Sequence, residues 1–171
     1  MDQAGALLRD CPRQPGMPVA EGVHRDPRER IEVLLPGLVP EPDARTAAAH
    51  PLAEGHSLWE ILNHVTAWTR AVQRRLNGEA VELTGADDWP PVSDASDAAW
   101  QAAVESFRAA QQDLLAKLKS MSNDELGMFA PGQKYSYSFM LNGLVQHHLY
   151  HAGQMALLKK SSVVGRESSG T

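Results

Sequence analysis

One cysteine, Cys11, stands among the 171 residues, so no disulfide can close within the chain, and a reducing compartment is expected. A basic excess is also missing. Lys and Arg total 16 against 21 Asp and Glu, a net charge of −5 with neutral His. That balance lacks the electrostatic footprint of a nucleic-acid binder, so no nucleic acid is expected as partner. Nowhere does an apolar run approach the roughly 18 residues of a membrane span. The opening MDQAGALLRD carries Asp2 and Arg9 and no stretch like a signal peptide, so a cytoplasmic location is expected. No segment alternates apolar and polar residues beyond about five positions, which argues against strands.

What is present suffices for one packed core. The chain is 43% hydrophobic and 22% charged, too apolar for a disordered segment. A chain of this length buries roughly 70% of its unfolded surface and needs no structural metal to fold. Proline and glycine divide it: the text from Cys11 to Gly22, the stretch from Pro36 to Gly55, and Gly78 to Asp94 all read as irregular. The expected organisation is an irregular segment 1–27 with a short helix over Gln3–Asp10, a bundle over 28–160, and a flexible tail 161–171.

Three long segments carry helical period. Ser57 to Asn77 opens on Ser57-Leu58-Trp59-Glu60, the spacing of a capping box. Its stripe Leu58, Leu62, Val65, Thr69, Val72, Leu76 advances by fours and threes, as a core-facing helix requires. Ser93 to Ser120 follows with Trp100, Val104, Phe107, Gln111, Leu114 and Leu118. Tyr137 to Lys160 is the third, closing on two lysines that complement the helix dipole. Shorter helices are expected over Arg28–Leu35 and Asp43–Ala49. Three strong helices and a fragmented first one predict an all-α fold, an up-down-up-down four-helix bundle with an irregular first helix.

The last helix carries the chemistry. Its stripe reads Met140, Leu144, His147, His151, Gln154, Leu158: apolar at the ends and polar between, on a face that points inward. Two imidazoles four residues apart can share one metal ion. His64, on the stripe Ile61, His64, Trp68, Ala71, offers a third if its helix is a neighbour. Three neutral imidazoles leave a divalent ion one or two open positions, the pattern of a catalytic site. Imidazole suits Zn, Ni, Cu or Fe, so spacing leaves the metal open. Chance also produces H-x-x-x-H pairs, and the adjacent His148 allows a surface histidine cluster as the alternative.

Two runs carry a resemblance. Gln146-His147-His148-Leu149-Tyr150-His151-Ala152-Gly153-Gln154 closely resembles the H-x-x-Y-H-x-G-Q signature in the last helix of DinB-like proteins, damage-inducible, metal-dependent four-helix proteins. Gly55-His56-Ser57-Leu58-Trp59-Glu60-Ile61-Leu62-Asn63-His64 resembles the second helix of that family. The resemblance covers about Arg28 to Lys160 and implies metal binding by His64, His147 and His151, with Zn or Ni as the ion. The chain departs from the family in its shorter first helix and in His56-Ser57, where Trp-Ser is usual.

Around the three histidines, Gln154 is expected to hydrogen-bond an imidazole, Tyr150 to pack at a helix interface, and Gly153 to permit close helix approach. Gln111 either lines the same cavity or is satisfied by backbone. Glu60 could serve as a general base, but its capping box explains it without chemistry. His56 reads as solvent-exposed, and Cys11 has no assigned role. Lewis-acid activation supports two reactions: hydrolysis of a small substrate, or attack of a thiol on an electrophile. Relatives implied by the resemblance include hydrolases and transferases using low-molecular-weight thiols. No carboxylate stands out as a general base, so transfer of such a thiol, as cosubstrate, to a small electrophile is preferred. A non-catalytic metal-binding stress protein is the other reading, and a homodimer is expected.

Overall fold

The computed structural model describes residues 26–34, 42–52 and 54–167. The expected helix Gln3–Asp10 and Cys11 lie outside them. Among the described residues the chain forms α1 (Pro27–Leu34), α2 (Ala44–Ala48), α3 (Leu58–Leu76), α4 (Asp97–Ser120), α5 (Asn123–Gly127) and α6 (Tyr137–Glu167). Extended backbone pairs only at an isolated antiparallel bridge between Phe129 and Ser136, so the described chain is all-α. No helix among the described residues is long and apolar enough to cross a membrane.

Local chemistry places the helix ends. At α3, Ser57 Oγ accepts the Glu60 amide at 3.2 Å, while Glu60 Oε2 accepts the Ser57 amide at 2.8 Å. Its far end turns through Gly78 at φ +93°, a left-handed conformation that side chains resist. The α4 helix starts at Asp97 rather than Ser93, because Ser96 is the residue whose hydroxyl caps the Ala99 amide. The sequence carries no proline between Lys160 and Glu167, and α6 continues through the residues expected to begin the tail. The short α5 was not expected, although Ser122 and Glu125 form a second capping box.

All six positions of the α3 stripe and all six of the α4 stripe are buried. With Leu141, Leu144 and Ile31 they build one core, and Phe107, Leu62, Val65 and Leu114 have no exposed surface.

The connection order differs from the expected alternation. Trp59 packs on Trp100 with centroids 5.1 Å apart, Arg70 donates to Ser106, and Gln73 donates to the Ala110 carbonyl. Residue numbers rise together along this interface, so α3 and α4 run parallel. Against α6 they run opposite: the Tyr137 hydroxyl donates to the Arg75 carbonyl, while His64 meets His147. Arg28 donates to the Met121 carbonyl and Glu32 pairs with Lys119, which sets α1 antiparallel to α4. The bundle is therefore up-down-down-up, not up-down-up-down.

The physical reason is the connection 77–96. The 19 residues of α3 measure about 28 Å. The connection is long enough to travel back along that length before α4 begins. Its course is visible in its contacts. The Val81 carbonyl accepts from Arg75, Asp88 accepts from Trp68, and the Pro90 carbonyl accepts from Asn63.

Candidate metal centre

Three imidazoles meet where α3 faces α6. His64 comes from α3, His147 and His151 from successive turns of α6. Each offers one nitrogen, and these nitrogens all lie within 4.8 Å of one another, an arrangement that could hold a metal ion. The ring centroids are 4.9 Å apart for His64 and His147, 4.8 Å for His64 and His151, and 4.5 Å for His147 and His151. His64 and His151 are 2% and 4% exposed, so the cluster belongs to the interior.

Oxygen atoms fix two of the rings. The Asp88 carbonyl lies 2.7 Å from His64 Nδ1, and Gln154 Oε1 lies 2.6 Å from His151 Nδ1. A carbonyl or amide oxygen only accepts, so each Nδ1 carries a proton and each Nε2 faces away from these partners. His64 Nε2 stands 2.9 Å from His147 Nε2. His147 Nδ1 is buried and has no hydrogen-bond partner. Burial, with His151, His148 and His64 adding to it, pushes the His147 ring down to about 2, so it is neutral at physiological pH. Two rings with oriented Nε2 atoms, a neutral third ring and one orphaned buried nitrogen are a donor set that fits a divalent ion.

The connection 77–96 supplies the surroundings, and sequence reasoning missed them. Asp88 is buried, and its Oδ1 stands 3.1 Å from His64 Nδ1 and 2.7 Å from Trp68 Nε1. Trp89 stacks on His64 with centroids 3.9 Å apart, and on its other face stacks His56 at 3.6 Å. The available signal was the acid and tryptophan of Asp88-Trp89-Pro90-Pro91, placed in a stretch otherwise read as irregular. His56 is exposed as expected, yet it covers one face of this indole.

The remaining candidates separate. Gln154 does hold an imidazole, and its Nε2 donates to the Tyr150 hydroxyl at 3.1 Å. Tyr150 is 64% exposed rather than packed at a helix interface. Gly153 is exposed, with open space where a Cβ would stand, so it does not serve helix approach. Gln111 is buried on α4 with Nε2 unpaired, and it does not line the cleft beside His147. Glu60 is held in its capping box, with His50 and His56 near its carboxylate and not the cluster. Burial raises its carboxyl, but the Ser57 hydrogen bonds and the two histidines more than offset this and hold it below the usual range. His148 is no surface residue. It is 1% exposed, with Nδ1 on the Leu144 carbonyl and Nε2 3.0 Å from Thr69 Oγ1.

An apolar cleft opens beside the cluster, lined by Trp68, Tyr135, Phe139 and Leu144 together with Arg75 and His147.

The family model described as the DinB superfamily matches residues 27–155, from α1 through all three histidines of the cluster. Comparison with curated proteins and with solved structures gave no match.

Proposed function

The chain belongs to the DinB superfamily, and we propose that it is a divalent-metal enzyme that transfers a low-molecular-weight thiol to a small electrophile. The reading rests on one observation: three imidazoles, two buried and the third half-buried, whose nitrogens lie within 4.8 Å of one another beside an apolar cleft. His64, His147 and His151 would hold the ion, with Zn or Ni matching an all-imidazole donor set. A divalent ion with an open position supplies Lewis acidity and lowers the pKa of a thiol that binds it.

The chain's own groups do the rest. Asp88 and Gln154 hold the His64 and His151 rings by Nδ1 and aim Nε2. Trp89 covers His64 and excludes water from that side. The Asp88 carboxylate is engaged by His64 and Trp68, and that of Glu60 by Ser57. Neither is placed to take a proton from an attacking water, which favours thiol transfer over hydrolysis.

The test is metal content by plasma mass spectrometry, on protein without a histidine tag, beside a His147→Ala/His151→Ala double variant. About one Zn or Ni per chain, lost in the variant, is the expected result for a three-histidine site. Loaded protein should then accelerate conjugation of cysteine to 1-chloro-2,4-dinitrobenzene, and the variant should not. A wild-type chain that stays metal-free when Zn and Ni are offered refutes the reading.

A further inference from the structure

The cleft beside His147 contains a buried charge that nothing so far uses. Arg75 is 6% exposed and lines the cleft. A guanidinium is a fixed cation with five N–H donors and no acceptor. Its Nε and Nη2 both donate to the Val81 carbonyl, and its Cζ stands 5.8 Å from the centroid of the Trp68 ring. Among the described residues no carboxylate lies within ion-pair distance of it. A buried cation balanced by one carbonyl and one indole face is costly unless another anion completes it.

The walls around that charge are apolar. Trp68, Val72, Tyr135, Phe139 and Leu144 line it, and Tyr135 and Phe139 stand as a tilted ring pair 5.6 Å apart. The space between the walls is about 480 Å³ with the open mouth included. Three aromatic side chains, Trp68, Tyr135 and Phe139, give a flat ring faces and edges to pack against. Trp68 is near both polar residues, since its ring, 5.8 Å from Arg75 Cζ, also lies 5.5 Å from that of His147.

We propose that Arg75 makes the cleft a site for a small aromatic carboxylate, whose anionic end pairs with the guanidinium while its ring lies between Trp68 and Phe139. The proposal rests on the metal-enzyme reading for its functional meaning: the electrophilic substrate would be an organic acid, with its reacting atom turned toward the histidine cluster. Charge-assisted pairing in an apolar setting then sets specificity for the acid over its neutral analogue.

The experiment measures binding of 3-phenylpropionate and of its amide by calorimetry, on metal-free and Zn-loaded full-length chain. The acid should bind wild type roughly tenfold more tightly than the amide, the scale expected for one charge-assisted contact. Arg75→Met should abolish that preference while leaving zinc content unchanged. Phe139→Ala, at an exposed wall position, should weaken acid and amide alike. If Arg75→Met fails to fold, as the lost Val81 contact allows, the acid-to-amide ratio in wild type and the Phe139→Ala result still decide. Equal binding of acid and amide overturns the proposal, and so does an absence of saturable binding below about 10 mM. Acid preference in a chain that takes up no metal would uphold this site while refuting the metal-enzyme reading, and the converse result would do the opposite.

Discussion

Asp88 meets His64 through both of its oxygen types. Its backbone carbonyl stands 2.7 Å from His64 Nδ1, and its carboxylate Oδ1 stands 3.1 Å from the same atom while accepting the Trp68 indole N–H at 2.7 Å. The pair ties the crossover to α3 and fixes which nitrogen of His64 faces the cluster. Partners that orient a ligating imidazole in this way tune its affinity for metal.

Removing the carboxylate should therefore weaken metal binding without unfolding the bundle. Asp88→Ala is expected to lower zinc affinity by about 10- to 100-fold, measured by competition with a chromogenic chelator. Asp88→Asn keeps an oxygen that can accept from Trp68 and should lose less. Unchanged affinity in Asp88→Ala would remove this residue from the site.

Acid should destabilise the metal-free chain. Burial pushes the His148 ring down to about 4, against the opposing pull of the Leu144 carbonyl, and His147 lies at about 2. Both titrate near 6.5 when unfolded. As pH falls through that value the unfolded chain takes up protons that the folded chain refuses. Stability is thus fully present above about pH 6.5 and falls by up to about 1.4 kcal/mol per pH unit per ring between there and pH 4. Urea unfolding at pH 7 and pH 5 reads the difference, and a His148→Gln variant should show a shallower slope. A flat profile would contradict the burial of these rings.

The cap of α3 should be worth a measurable amount. Ser57 is 1% exposed and binds Glu60 in both directions. Ser57→Ala is expected to cost about 1 kcal/mol in chemical denaturation. Ser122→Ala, at the exposed cap of the short α5, should cost less.

Packing is graded just as sharply. Phe107 has no exposed surface, and Phe107→Ala should cost about 3–5 kcal/mol. Leu157, 70% exposed on α6, should tolerate alanine within about 0.5 kcal/mol. Thermal melts of the two variants give the contrast directly. Similar losses at both positions would mean that the outer face of α6 is covered in solution.

Much of this was legible in the residues. Ser57 with Glu60 announced the start of α3, and the stripes of α3 and α4 proved to be the buried faces position by position. His147 and His151 announced one inward face by their spacing alone. Gln154 was expected to hold an imidazole and does so. Tyr150 and Gly153 were misread because periodicity says which residues share a face, while only the neighbouring helices decide how much of that face is covered. His148 shows the same effect in reverse: it lies off the histidine face, but Thr69 of α3 comes close enough to bury it.

The long helices, their apolar faces and the histidines they carry were readable from the residues, because capping and helical period act over a few positions. That α3 and α4 run parallel, and that the connection between them returns along α3, emerges from long-range packing alone. That return lays Asp88 and Trp89 against His64 and leaves Arg75 facing a cleft. No local rule could anticipate it. A long connection costs little more entropy than a short one, so its path is set by the contacts it finds at the end and not by the residues that begin it.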